Sequence, residues 1–291
     1  MAETTSIFDS VPSNLPKFVR PSSPPKYFGI DFDETFHALK EDGLERNVKA
    51  FAQVKKGGYT PFFCTGRSVD HAMGLVGNRF VEKTNYRGYP GVYNTGAVVY
   101  DENGNVIYSR SFSKEFIKAV CESVTRRNSP NNLVLFTKDS HYSPIGVDEN
   151  FSRVLRSRDI PTPEVKTLEE LLNTDIVMMT IICDKVEFPG FHEGVDYIKK
   201  LDLPGYYDLN PAGVTKAIGV KKLMEHYGVP PHDCGFIGDG DNDTEIMDLS
   251  GLSFAVANAP DFVKKHAKWV MDKSYNEGAV AQALELVYGP F

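Results

Sequence analysis

Four groups of residues in this chain carry side chains suited to chemistry at phosphorus. In chain order they are Asp31-Phe32-Asp33-Glu34-Thr35, Thr65-Gly66-Arg67, Lys216, and Gly238-Asp239-Gly240-Asp241-Asn242-Asp243. All but Lys216 follow an apolar run that reads as a buried strand. Carboxylates, a hydroxyl and an ammonium at the carboxyl ends of parallel strands are what metal-assisted phosphoryl transfer needs.

Asp31 and Asp33 leave their strand at i and i+2, so both can face one crevice with Phe32 turned away. Asp31 is the candidate nucleophile, because a carboxylate that attacks phosphorus splits the reaction into formation and hydrolysis of an aspartyl-phosphate. Asp33 is the candidate general acid and base, protonating the leaving oxygen and then accepting a proton from water. The Thr65 hydroxyl and the N–H groups around Gly66 suit phosphoryl oxygens at a helix N-terminus; the alternative is that Thr65 only caps that helix. Arg67 either touches the phosphate or pairs with a neighbouring acid. Lys216 opens a helix after Pro211-Ala212-Gly213, where a cation opposes the helix dipole. That placement fits a point charge for a bound anion, and the alternative is a solvated surface lysine.

The last string sets three aspartates within five residues among glycines, which describes a hard-cation site. Mg²⁺ suits it, since that ion takes one or two carboxylates and completes its shell with water and phosphate. An EF-hand is the competing idea, but no Glu follows at the required place and no helix leads in. Asp239 is the expected metal ligand. Asp243 is a ligand or a carboxylate behind it, and Asn242 is a donor to the phosphoryl group.

The elements that must position these groups alternate between strand and helix. Tyr27 to Ile30 reads as a strand entering Asp31, and Leu44, Val48, Phe51 and Val54 stripe a helix stopped by Gly57-Gly58. Tyr59 to Cys64 and Gly91 to Tyr93 are strands, and Glu102-Asn103-Gly104-Asn105 turns a hairpin. The rhythm resumes from Thr215 to the chain end. Between Phe112 and Gly205 it changes, and no chemistry-bearing string falls there. A helix over Lys114–Arg126, strands near 133–137 and 175–183, a short helix over Leu168–Leu172 and a helix from His192 to Leu201 are expected. The domains read as a Pro-rich arm (1–25), a core (26–111 and 206–291) and an inserted domain (112–205). The fold class is α/β, a Rossmann-like doubly wound parallel sheet with an inserted α+β domain.

In this order the four strings resemble the motifs of the haloacid dehalogenase (HAD) superfamily of phosphatases, from Asp31 to Asp243. The α/β insertion resembles that of the Cof-type sugar-phosphatase branch. Asn94-Thr95-Gly96-Ala97, Asn210-Pro211-Ala212-Gly213-Val214-Thr215-Lys216 and Val256-Ala257-Asn258-Ala259 support the likeness. The resemblance implies Asp31 as nucleophile and metal ligand, Asp33 as acid and base meeting the metal through its main-chain carbonyl, and Asp239 completing the metal site. Thr65, Gly66, Lys216 and Asn242 would hold the phosphate, and the insertion would be a cap that sets specificity. Glu34 departs from the pattern, standing where the family commonly has Gly. A phosphotransferase of the phosphohexomutase type, or a non-catalytic phosphometabolite-binding regulator, would share the same strings.

Bulk properties narrow the partners. The 291 residues are 41% apolar and 24% charged with a net charge of −7, and no basic stripe appears, which argues against nucleic acid. A small phosphorylated metabolite is the expected partner, held by a local cluster of donors and a metal. Cys64, Cys121, Cys183 and Cys234 lack metal or disulfide spacing and read as reduced thiols, and the seven histidines show no metal-ligand spacing. No secretory leader and no run long enough to cross a membrane is read. A cytoplasmic monomer or weak homodimer is expected.

Overall fold

A computed structural model of the chain describes residues 11–126 and 132–290; the first ten residues of the expected arm lie outside them. The regular elements run β1 (Tyr27–Ile30), α1 (Glu41–Lys56), β2 (Thr60–Cys64), α2 (Val69–Thr84), β3 (Gly91–Tyr93), β4 (Val98–Tyr100), β5 (Val106–Ser109) and α3 (Lys114–Arg126). They continue with β6 (Leu133–Phe136), β7 (His141–Ser143), α4 (Glu149–Ser157), β8 (Glu164–Val165), α5 (Leu168–Leu172), β9 (Met178–Ile182), β10 (Tyr197–Leu203) and β11 (Tyr206–Pro211). The last are α6 (Lys216–Tyr227), β12 (Gly235–Gly238), α7 (Thr244–Leu249), β13 (Leu252–Ala255), α8 (Asp261–Lys264), β14 (Trp269–Val270) and α9 (Ala279–Tyr288). The chain divides into two compact units, residues 1–62, 79–85 and 229–291 in one, and 63–78 and 86–228 in the other.

In the first unit, four parallel strands lie in the order β14-β13-β12-β1. Ile30 stands opposite Ile237, so the ends of β1 and β12 are level, and the strings that follow them emerge side by side. Phe36, Phe51 and Phe80 pack edge to face, with centroids 5.4–5.9 Å apart. Buried Asn47 donates to the Phe36 carbonyl and accepts from the Ala281 N–H, tying the turn after Asp31 to α9. From Val11 to Arg20 the arm is docked, Val11 N–H donating to Asp261 and Arg20 Nε to the Leu286 carbonyl. Asn14 accepts from Val270 N–H (2.8 Å) and donates to Lys268 carbonyl (3.1 Å), and Ser13 donates to Val270 carbonyl. The ring of Phe18 meets half-buried Trp269 edge-on at 5.0 Å. The arm thus satisfies the outer edge of β14, an edge that otherwise invites pairing.

In the second unit, β3 pairs in parallel with the end of β2, and β4 and β5 add an antiparallel hairpin, with α6 packed against β3, β4 and β5. A second sheet has the order β10-β11-β9-β6-β7-β8, antiparallel except between β7 and β8. Successive residues of β6 serve opposite faces: Leu133 and Leu135 pack with α3 and α5, and Val134 and Phe136 pack with Phe151 and Leu155 of α4. This two-sided burial explains its unbroken apolar run. The helix expected from His192 to Leu201 is not formed; β10 occupies its second half and pairs with β11. The turn between them, Leu203-Pro204-Gly205-Tyr206, has Pro and a glycine at φ 81° in its two central positions. That chemistry closes a hairpin and outweighs the helical spacing. Among the described residues no helix is long and apolar enough to cross a membrane.

Candidate functional site

Asp31 extends the β1 ladder by one residue, its N–H donating to the Ile237 carbonyl at 2.9 Å. Its side chain is 5% exposed. From β12, Gly238 leads into the acidic string, whose last carboxylate folds back: Asp243 Oδ2 accepts from Asp239 N–H (3.0 Å) and Gly240 N–H (2.9 Å). Gly238 is required by that return, because a Cβ there would stand 2.4 Å from Asp243 Oδ2. The result brings carboxylate oxygens of Asp31, Asp239 and Asp243 within 4.8 Å of one another, with Asp31 and Asp243 buried. At that separation each like-charged pair repels by about 3 kcal/mol at an effective dielectric of about 20. An all-oxygen, all-carboxylate set of this kind fits a hard divalent cation. The lead-in is a strand, which removes the EF-hand alternative.

The Asp33 carboxylate is not among these three. Asp33 is half-buried on the turn after β1 and bridges to His37, whose ring stacks on buried Phe32 at 5.4 Å. Glu34, where the resembled family commonly has Gly, has φ 52°, so a glycine position is filled here by a side chain that the left-handed region disfavours. Two residues without an assigned role complete the arrangement. The Thr35 hydroxyl donates to Asp239 Oδ1 (3.1 Å). Asn258 Nδ2 donates to the Glu34 carbonyl (3.0 Å) while its Oδ1 accepts from Tyr275 N–H. Both partners are more than 200 positions away in sequence, so no local pattern reveals them.

Thr65, Gly66, Arg67 and Lys216 belong to the second unit. Thr65 is fully buried and its Oγ1 accepts from Arg67 N–H (3.1 Å) in the loop before α2. The side chain that reaches a first-turn N–H of that helix is Ser68, which accepts from His71 N–H (3.4 Å), so Thr65 is not its cap. Arg67 Nη1 donates to His71 Nε2 (2.7 Å) and reaches the Arg158 carbonyl at 3.4 Å. Lys216 is 1% exposed at the first position of α6, behind an N-cap in which Thr215 accepts from Ile218 N–H. The surface-lysine alternative is therefore overturned. Asn242 sits half-buried in the turn before α7, beside Gly240.

A second group of metal-type side chains, Asp101, Glu102 and His226, also brings ligand atoms within 4.8 Å, which sequence spacing does not show. Its members are already engaged: Asp101 accepts from Asn103 and Asn105, and Glu102 Oε2 accepts from the Tyr227 hydroxyl. Burial pushes the Asp101 carboxyl up, and those donors together with His226 outweigh it, leaving it below the usual carboxylate range.

The chain matches the haloacid dehalogenase-like hydrolase family over residues 28–284. It is 27% identical over 265 residues to a phosphoglycolate phosphatase from Methanobrevibacter smithii, covering 88% of this chain and 95% of that protein. It is 26% identical over 286 residues to the chloroplastic endoribonuclease YBEY of Arabidopsis thaliana, covering 89% of this chain. The chain spans only 46% of that longer relative. Among solved structures it resembles a HAD/COF-like hydrolase from Plasmodium vivax, with a TM-score of 0.76, 26% identity and coverage of 91% and 96% of the two chains. It shares its fold with a sugar phosphatase of HAD subclass IIB, with a TM-score of 0.69, 18% identity and coverage of 89% and 97%.

Proposed function

The chain belongs to the haloacid dehalogenase-like hydrolase family, in its Cof-type branch, and from that membership we propose that it is a Mg²⁺-dependent phosphoric monoester hydrolase. Its substrate is a small phosphorylated metabolite, a sugar phosphate. The observation that carries this reading is the convergence of Asp31, Asp239 and Asp243 where β1 and β12 end. Those three side chains, with the Asp33 carbonyl, would hold the ion. When bound there, Mg²⁺ supplies positive charge that offsets the carboxylate repulsion and the charge on the phosphoryl oxygens.

In the reaction, an Asp31 oxygen attacks phosphorus as the ester P–O bond breaks, and Asp33 gives its proton to the departing sugar oxygen. Water then attacks the aspartyl-phosphate, Asp33 takes the proton, and Asp31 leaves as a carboxylate with release of inorganic phosphate. In this reading Thr65, Gly66, Arg67, Lys216 and Asn242 hold the phosphoryl oxygens and stabilise the charge that develops in the transition state. Burial of Lys216 supports this role, since a long side chain that is 1% exposed is not a solubilising one. The insertion (112–205) acts as the cap that selects the ester and excludes water. The test is phosphate release from a panel of phosphate esters in Mg²⁺. Fastest release from a sugar phosphate supports the reading. Transfer to a second sugar hydroxyl in place of water, or no release from any ester by folded protein, refutes it.

A further inference from the structure

The turn between β3 and β4 is strained in a way the fold alone does not require. Asn94, Thr95 and Gly96 follow one another at φ 50°, 59° and 97°. Two non-glycine residues in the left-handed region, one of them β-branched, are unfavourable, and such outliers collect where function holds them. Asn94 is also buried with its Oδ1 lacking a hydrogen-bond partner, a further cost that a simple link between strands would avoid.

The contacts of this turn account for the strain. Asn94 N–H donates to the Arg67 carbonyl and Thr95 N–H donates to the Thr65 carbonyl, each at 3.0 Å. The Thr95 hydroxyl lies 3.5 Å from where a Gly66 Cβ would stand. On the other side, Gly96 lies against the start of α6: a Cβ there would fall 2.1 Å from the Thr215 carbonyl oxygen and 3.3 Å from Lys216 N. Gly219, one turn along α6, lets that helix approach equally closely, its absent Cβ facing Gly96 Cα at 3.0 Å. The turn therefore touches both the Thr65-Gly66-Arg67 string and the helix end that carries Lys216.

We propose that Asn94-Thr95-Gly96 is a positioning clamp, which fixes the spacing between the Thr65-Gly66-Arg67 loop and the Lys216 end of α6. Its residues touch no reacting atom; they act through the two elements they join. The catalytic consequence rests on the phosphatase reading above, because Thr65 and Lys216 then serve one phosphoryl group. A displacement of about 1 Å in such groups lowers turnover by about 10²-fold.

Two variants of the full chain test the clamp. Gly96→Ala forces Thr215 and Lys216 away, and is expected to lower kcat at least tenfold with a smaller change in KM. Thr95→Asn, the conservative replacement at a left-handed position, is expected to retain kcat within about threefold although it lacks the hydroxyl. Amide hydrogen exchange supplies a readout independent of turnover. In Gly96→Ala the amides of Thr65–Arg67 and Lys216–Gly219 should exchange at least tenfold faster, with those of β9 and β12 unchanged. Unchanged exchange and kcat in folded Gly96→Ala overturns the clamp. Loss of kcat in stable Thr95→Asn with normal exchange also overturns it, by making the hydroxyl a substrate contact. If the wild-type chain releases no phosphate from any ester, the functional reading fails while the exchange arm still decides the clamp. If Gly96→Ala does not fold, Thr95→Pro, which cannot take φ 59° or donate to Thr65, carries the same two readouts.

Discussion

Replacing Gly238 by alanine tests whether the returning Asp243 carboxylate organises the acidic cluster. The new Cβ would lie 2.4 Å from Asp243 Oδ2 and 2.5 Å from its Cγ, about 1 Å inside ordinary van der Waals contact. The carboxylate must swing away, and Asp239 N–H and Gly240 N–H lose a charged acceptor now at 3.0 and 2.9 Å. Asp243 is fully buried, so each donor left unsatisfied costs about 1–3 kcal/mol, or about 2–6 kcal/mol for both. An unfolding entropy of roughly 2.1 cal/mol/K per residue over this chain gives ~0.6 kcal/mol/K. The expected fall in Tm is then about 3–10 °C by calorimetry. Mg²⁺ affinity, measured by titration on the folded variant, should weaken at least about 10-fold, since one of the three carboxylates that would hold the ion is displaced. A Gly238→Ala protein with unchanged Tm and unchanged Mg²⁺ affinity would show that Asp243 does not hold the loop.

Three further outcomes follow from particular residues. Glu34→Gly removes a left-handed strain of roughly 1–2 kcal/mol and adds about 0.5–1 kcal/mol of chain entropy cost; the net gain of about 0.5–1 kcal/mol should appear as a higher urea midpoint. The depressed Asp101 carboxyl contributes stability that is present above its unfolded pKa of about 3.9 and is lost as pH falls through the lower folded value. Wild type should therefore melt above Asp101→Asn by a constant margin at higher pH, and the margin should close only in acid below that value. Burial pushes the thiols of Cys121 and Cys234 up to about 12, and only Cys183 is half-buried rather than buried. Alkylation of the folded chain at neutral pH, read by mass spectrometry, should find Cys183 first; equal labelling of Cys121 or Cys234 contradicts the packing.

Much of the core was legible because its signals are local. Short apolar runs ending in Asp31, Thr65 and Asp239 mark strands whose carboxyl ends carry the chemistry, and β1, β2, β3 and β12 lie where those runs lie. The close return of Asp243 explains the glycine at 238 that the string displays. Other features depend on distant partners. Whether Lys216 faced solvent could not be read from its helix, because its burial is set by the packing of α6 on β3 and β4. Thr35 and Asn258 gain meaning only through Asp239 and Glu34. In the second sheet, β10 was misread because its apolar residues also suit helical spacing, while the deciding Pro204-Gly205 turn lies beyond its end. The stretch from 138 to 167 holds β7, α4 and β8, which went unread although Asp148 accepts from Phe151 N–H as an N-cap, a signal present in sequence.

The most direct test of the central claim is phosphate release by the wild-type chain and by Asp31→Asn, each with Mg²⁺ and with EDTA, on the best ester of the panel. The account predicts release by the wild type only with Mg²⁺, and a loss of at least about 10³-fold in the variant at unchanged Tm or higher, since one of three close negative charges is gone. Turnover by Asp31→Asn at the wild-type rate, or wild-type release undiminished by EDTA, would contradict it.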